Sequence, residues 1–337
     1  MALSDRAGKR VPFIAIGAVG GGAGYLVLAG LPMVVDISFT HVLLLRVVQG
    51  AMTVAAFSLA MTMLMDLPGG HVKNMGAAGL AIGGGTALGA PLGGQIAALN
   101  SLGPLWAAGL LLLAVVPLLS FVSDRTPTGS RQSLGEILTY LQKTPALGLP
   151  FAFGYIDRMT AGFFALVGTF YFQETFGIGP AETGIVLGFF FVPFALLQFP
   201  FGMLSDRIGR TIPIILGSAC FGGAIILVGI LPTLTLAQAG MVLVGILGAL
   251  VSPATMALVT DLSSETERGA SMAGFNIAGS LGFLTGFLLG GSVATSYGYF
   301  AAFLVVGGLE ILIAVVCLPL FLRVEIPTEP SFRGSTK

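Results

Sequence analysis

Long apolar runs alternate with short polar breaks along the whole chain. A helix crossing about 30 Å of hydrocarbon needs roughly 20 apolar residues. Ten stretches meet that length, at about 11–32, 39–63, 74–98, 102–122, 148–172, 182–203, 211–232, 236–259, 268–294 and 300–322. The runs are continuous and lack the residue-by-residue alternation of outer-membrane strands, so they predict helices and not a β-barrel. The longest polar stretch, Ser123 to Lys143, divides four spans from six. Within it Leu134, Ile137, Leu138 and Leu141 recur at helical spacing, and Ser133 with Glu136 forms a capping-box pattern. Two readings stay open there: a short amphipathic helix on the membrane face, or a linker with one helical turn. The expected organisation is four helices over 1–122, a linker over 123–147, six helices over 148–322 and a tail over 323–337.

Composition agrees with a lipid environment. Charged residues make up 9% of the 337 and hydrophobic residues 55%, whereas a soluble domain is about 25% charged. Such a chain could not cover its surface with polar groups in water. The 50 glycines lie largely inside the apolar runs, where small side chains let membrane helices approach closely. Cys220 and Cys317 also sit inside apolar runs and read as small packing side chains, not as a disulfide. The basic start, Met1 to Arg10, precedes a run long enough to span, which argues against a cleavable signal peptide. A net charge of zero gives a nucleic-acid partner no electrostatic support.

The positive charges fix an orientation. Arg6, Lys9, Arg10, Lys73, Arg125, Arg131, Lys143, Arg207, Arg210, Arg268, Arg323, Arg333 and Lys337 all fall on one side if ten spans alternate. The opposite loops, near Asp36, Asn100, Glu174 to Glu182, Thr233 and Tyr297, carry no Lys or Arg. Both termini are therefore expected to be cytoplasmic.

The two sides of the linker repeat one another. Leu-Ser-Asp-Arg-Ala-Gly-Lys-Arg-Val-Pro at 3–12 matches Leu-Ser-Asp-Arg-Ile-Gly-Arg-Thr-Ile-Pro at 204–213. Asp66 and Asp261 each end a span and are followed at equal distance by Lys73 and Arg268. The next spans carry Gly89-Ala90-Pro91-Leu92-Gly93-Gly94 and Gly286-Phe287-Leu288-Leu289-Gly290-Gly291. Parallel repeats of this kind are a feature of secondary transporters.

On these motifs the chain resembles the major facilitator superfamily over essentially its whole length. The family's loop motif, Gly-x-Leu-(Ala/Ser)-Asp-Arg-x-Gly-Arg-(Arg/Lys), is matched from Gly202 to Thr211 and again from Met1 to Arg10. Arg46-Val47-Val48-Gln49-Gly50 matches the fourth-helix motif, and Gly85, Gly89, Pro91, Gly93 and Gly94 approach the fifth-helix motif with the proline one residue late. The resemblance implies an all-α polytopic membrane protein, a two-fold repeat of six-helix bundles with the N-terminal bundle cut to four helices. In the family the loop motif joins helices two and three, and here it starts at residue 1. A start placed too late, a fragment and a natural ten-helix form all stay open.

The resemblance also assigns roles. Asp5, Arg6, Gly8, Arg10, Gly202, Asp206, Arg207, Gly209 and Arg210 would form a gate between the two halves. A plain positive-inside anchor is the alternative, though anchoring needs no Asp. The aspartates can accept backbone amides at a helix start. Within the spans, charge occurs at Arg46, at Asp157 with Arg158, and at Glu310, and intramembrane charge is costly enough to suggest function. Arg46 with Gln49 belongs to the motif tied to proton coupling. Asp157 is a candidate titrating carboxylate or half of a structural ion pair, and Glu310 reads as a packing hydrogen bond made by a protonated carboxyl. The glycines of span 74–98 read as helix-packing positions.

The function this implies is secondary active transport of a small molecule, proton-coupled, with efflux of drug-like amphipathic compounds by antiport in the foreground. Sugar or metabolite uptake, or an inactive or receptor-like relic, are the alternatives. The expected setting is the plasma (inner) membrane, as a monomer, with lipid, substrate and protons as partners and no cofactor or metal. No Gly-x-x-x-x-Gly-Lys-(Ser/Thr) run is present for ATP and no Gly-x-Ser-x-Gly for a hydrolase. His41 and His71 fall at opposite membrane faces and cannot share a metal.

Overall fold

The computed structural model describes residues 9–65, 71–124, 142–264 and 267–321. Among them every regular element is helical: α1 (Val11–Gly30), α2 (Phe39–Met65), α3 (His71–Leu99), α4 (Gly103–Leu118), α5 (Gly148–Phe163), α6 (Thr169–Phe176), α7 (Pro180–Ile208), α8 (Thr211–Val228), α9 (Leu234–Asp261), α10 (Arg268–Tyr297) and α11 (Tyr299–Phe321). A π turn, Phe164–Gly168, joins α5 to α6 without a break, so the two make one span. Each of the ten predicted runs corresponds to one of these segments. Among the described residues, eight helical segments are long and apolar enough to cross a membrane. The remaining two are α3, diluted by glycine, and the span that the π turn divides. This is an all-α, multi-pass membrane protein.

The predicted ends moved where polar residues extend a helix. α7 continues through Ser205, Asp206 and Arg207, and Gly209 stops it with φ +88°. That left-handed conformation is open to glycine and costly for other residues. Gly177, at φ +65°, ends α6 in the same way. Asp5, Arg6, Gly8, Asp66 and the amphipathic-helix candidate around 133–141 lie outside the described residues.

The chain forms two compact units, Met1–Ser130 with Pro180–Gly184, and Arg131–Gly179 with Ile185–Lys337. In the first, α1 packs on α2 and α4. A Cβ placed on Gly17 would lie 2.8 Å from the Met52 carbonyl oxygen, and one on Gly22 would lie 3.0 Å from that of Gly109. These helices meet backbone to backbone, as glycine allows in lipid. Ile14, Ala56, Leu59 and Met63 fill the seam between α1 and α2.

The second unit is built around α5. Its most extensive neighbour is α10, and α9 and α11 also lie against it. A Cβ on Gly282 would run into the Tyr155 carbonyl oxygen, and one on Gly286 into that of Met159. From the other side Gly162 faces the Phe283 carbonyl in the same way. Phenylalanines seal the remaining core: Phe163 and Phe303 meet edge to face at 4.9 Å, and Tyr171 and Phe303 at 4.7 Å. Leu216, Leu243, Val315 and Val316 are exposed on the outside, as suits a lipid-facing surface. Cys317 is buried and Cys220 is exposed, and neither forms a disulfide. The expectation of a packing role therefore fails for Cys220, whose helix turns it outward.

Gly286→Ala should lower the stability of the purified protein by about 1–3 kcal/mol, the usual penalty for overpacking. Gly291→Ala, in the same helix but with open space around the added carbon, should change it by less than about 0.5 kcal/mol. Thermal unfolding of the two variants side by side checks the difference.

Candidate functional site

The second copy of the loop motif is a charged cluster at the ends of three helices. Gly209 reverses the chain, which puts Arg210 at the head of α8 beside the last turns of α7 and α9. Arg210 Nε donates to Asp261 Oδ2 at 2.9 Å, and its Nη1 donates to Ser205 Oγ at 3.0 Å and to Asp206 Oδ1. Partial burial works to lower the guanidinium's pKa, but the hydrogen bonds and charges of Asp261 and Asp206 outweigh it and hold the group above its usual value. Its side chain is 15% exposed, against 29% for Asp261 and 63% for Asp206. Asp261 is thus the more shielded partner. Arg207 is exposed, and Gly202 lies over Pro253 of α9.

Asp206 does not cap a helix start, contrary to expectation. It occupies the last turn of α7, where carbonyls and not amides lack partners, and the guanidinium four residues on is within reach. The capping chemistry appears instead in the first unit, on a different residue. Asp124 takes the backbone N–H of Arg10 at 3.0 Å to each carboxylate oxygen, and that of Val11 at 3.2 Å. An anion at the N-terminus of α1 is favoured by the helix dipole.

Arg46 heads a short polar chain along α2. Its Nη1 donates to Gln49 Oε1 at 3.3 Å, and Gln49 Nε2 donates to Thr53 Oγ1 at 2.9 Å. The guanidinium also lies 5.4 Å from the Tyr25 ring centre, a cation–π distance. Gln49 is buried because α1 offers it Gly24, where an added Cβ would stand 2.7 Å from its side chain. Arg46 itself stays exposed and, among the described residues, pairs with no carboxylate.

Asp157 and Arg158 sit two turns from the end of α5. Neither makes a hydrogen bond or close ion pair among the described residues. Gly279 of α10 leaves room for the Arg158 stem. Glu310 of α11 is fully buried, and both of its oxygens are bonded. Thr160 Oγ1 lies 2.9 Å from Oε1, and Ser218 Oγ lies 2.7 Å from Oε2. The expected packing hydrogen bond is therefore present twice, and it joins α5, α8 and α11.

The glycines of α3 behave differently from expectation. A Cβ on Gly85, Gly89 or Gly93 would meet nothing within 4 Å, so these positions make no close helix contact among the described residues. Gly94 does, against Pro180 and Gly184, which group with the same unit. Pro91 lies inside α3 without ending it.

Comparison with known proteins decides the family. The model of the Major Facilitator Superfamily matches residues 1–156 and 147–337. The chain belongs to that superfamily. The inner membrane transport protein YajR of Escherichia coli is 33% identical over 134 residues, which are 40% of this chain and 29% of YajR. The chain thus matches less than a third of that relative's length. Among solved structures, the nucleoside transporter NupG gives a TM-score of 0.73 at 14% identity, covering 95% of this chain and 85% of that one. A bacterial homologue of the human lysosomal transporter Spinster, inward-facing and occupied, gives 0.73 at 15%, covering 96% and 84%. At these identities the structures share the fold alone.

For a superfamily chain, several site residues escape a motif search. Asp124, Tyr25 and Thr53 lie outside the motifs, and Asp261 is visible only through the repeat. Thr160 and Ser218 had one available signal, a hydroxyl in an otherwise apolar run. Asp261→Asn is expected to destabilise the protein by about 1–3 kcal/mol, as for loss of a partly buried charged hydrogen bond. Asp206→Asn, at an exposed i,i+4 pair, should cost less than about 1 kcal/mol. The Arg210→Ala and Asp261→Asn effects should be markedly less than additive in a double-mutant cycle.

Proposed function

We propose that this superfamily member is a proton-coupled secondary transporter of small molecules, working as an antiporter that expels amphipathic compounds. The carrying observation is Asp157, a mid-span carboxyl with no hydrogen bond or close ion pair among the described residues. Purely structural charge in a membrane is matched by a partner, whereas a group that binds protons or cargo must be able to exchange one. Arg46 supports the reading. It is a permanent cation held in orientation by Gln49 and Tyr25, and such a charge biases the protonation of carboxyls that approach it. The Arg210 cluster gates the cycle, since its bonds join the ends of three helices. The segregation of Lys and Arg supports cytoplasmic termini, and the likeness to an inner membrane transport protein supports the plasma (inner) membrane. The protein works as a monomer.

Vesicles reconstituted with the chain and loaded with a fluorescent lipophilic cation test this. An imposed proton gradient should drive flux of the cation. Asp157→Asn and Arg46→Ala should each reduce that flux at least about tenfold, the size of a 1.4 kcal/mol loss. No gradient-driven flux with any of a panel of amphipathic cations, anions and sugars would remove the transport reading. Flux that both variants leave unchanged would remove the assignment of these two residues.

A further inference from the structure

The buried carboxyl of Glu310 is not used by the transport reading, yet it is the most enclosed carboxyl among the described residues. Glu310 is 1% exposed, Thr160 1% and Ser218 0%. One turn before Glu310, α11 crosses α8 at Gly307 and Gly222. A Cβ on either glycine would strike the other's carbonyl oxygen, and one on Gly222 would also stand 2.8 Å from the Glu310 Cβ. Backbones this close leave no room for hydrating water beside the carboxyl. An ionised carboxylate there would have only two hydroxyls to replace its hydration, which is too few in hydrocarbon.

Charge balance points the same way. The mid-span Asp, Glu, Lys and Arg residues of α5 and α11 are Asp157, Arg158 and Glu310. From α8, α9 and α10, packed around them, no Asp, Glu, Lys, Arg or His faces them at mid-span. Those residues occur only at helix ends, as Asp261 and Arg268. The other titratable side chains of these helices are Cys220, Cys317, Tyr297, Tyr299 and Tyr155, whose hydroxyl donates to Thr285 Oγ1 at 2.8 Å. Asp157 lies one turn from Thr160 on the same side of α5, and Thr160 Oγ1 is bonded to Glu310 Oε1 at 2.9 Å. Two acids and one base leave one negative charge in excess, which a single proton cancels.

We propose that Asp157 and Glu310 form a two-carboxyl site that binds one proton, with the proton resident on Glu310 in the state seen here. This rests on the proton-coupled reading and adds to it a proton store inside the helix core of the second unit. Protonated Glu310 donates its O–H to one of the two hydroxyls and accepts from the other. The hydroxyl that accepts can turn its own hydrogen to the carbonyl one turn before it, an arrangement common for Ser and Thr in helices. Transfer of the proton to Asp157 moves the negative charge onto Glu310 and cancels the one beside Arg158. That exchange strains the α5–α8–α11 junction, so occupancy of the site is coupled to the position of α5. A metal cation fits less well, because the described residues hold no group of three or more His, Cys, Asp or Glu and both Glu310 oxygens already have hydroxyl partners.

The test uses the purified full chain in lipid nanodiscs, without substrate. Infrared spectra recorded from about pH 5 to about pH 9, a range above the ordinary carboxyl values, should show one protonated-carboxyl C=O band. The band should vanish in Glu310→Gln, whose amide keeps both hydrogen bonds and the fold. In Asp157→Asn the two remaining charges balance without a proton, so the pH at which the band disappears should fall by about one unit or more. A band retained in Glu310→Gln, or a midpoint unmoved in Asp157→Asn, would overturn the shared site. Stabilisation of the wild type by sodium over potassium, absent in Glu310→Gln, would replace the proton with a metal ion and overturn it too. The readout involves no flux, so absence of transport leaves this result standing, and absence of the band leaves the transport reading standing.

Discussion

Everything in this fold rests on how closely two helix backbones can approach in a medium that supplies no hydrophobic drive. Lipid tails are as apolar as leucine, so burying leucine gains little, and contact between helices must come from dispersion and a few polar bonds. The molecule meets this constraint with glycine. Gly282 and Gly286 let α10 lie on the carbonyls of α5, Gly222 and Gly307 do the same for α8 and α11, and Gly17 and Gly22 set α1 against α2 and α4. Large residues then fill the flanks, with Phe153, Phe163, Phe172 and Phe303 wholly buried.

Polar groups are placed by those seams. Gln49 is held where Gly24 makes room, Arg158 passes Gly279, and Glu310 stands one turn from the Gly222–Gly307 crossing. A tight seam excludes water, so each polar side chain beside it has to find its partner within the protein. The Gln49–Thr53 pair and the Thr160–Glu310–Ser218 bridge are the outcomes. Arg210 follows another logic at the helix ends, where it can remain charged while being partly shielded.

Much of this was legible in the sequence. The helical runs could be read because apolar length is the signal that lipid imposes, and the family could be read because the Asp-Arg-x-Gly motif is written twice. The mid-span charges were visible as exceptions in apolar runs. Partners were harder to find, since pairing depends on which faces meet. Thr160 and Ser218 are 58 residues apart in sequence, and nothing local shows that both reach Glu310. The place of Asp206 is not legible in the motif, which reads as a loop, whereas the helix runs through it and stops at Gly209. The α3 glycines show the limit most clearly. A small-residue stripe tells that a backbone can be approached, and it does not tell whether anything described approaches it.

The π turn at Phe164–Gly168 makes the length of this segment an inherited constraint. A π turn is one residue inserted into an α-helix. Losing one residue there would restore ordinary helix and rotate all that follows by about 100°. Tyr171 would leave the Val228 carbonyl, to which its hydroxyl now donates at 3.1 Å, and Phe172 would turn out of the core. An insertion would do comparable damage in the other sense. Single-residue length changes that the loops of this chain would absorb are therefore closed to this span, and its descendants can vary there in side chain but not in count.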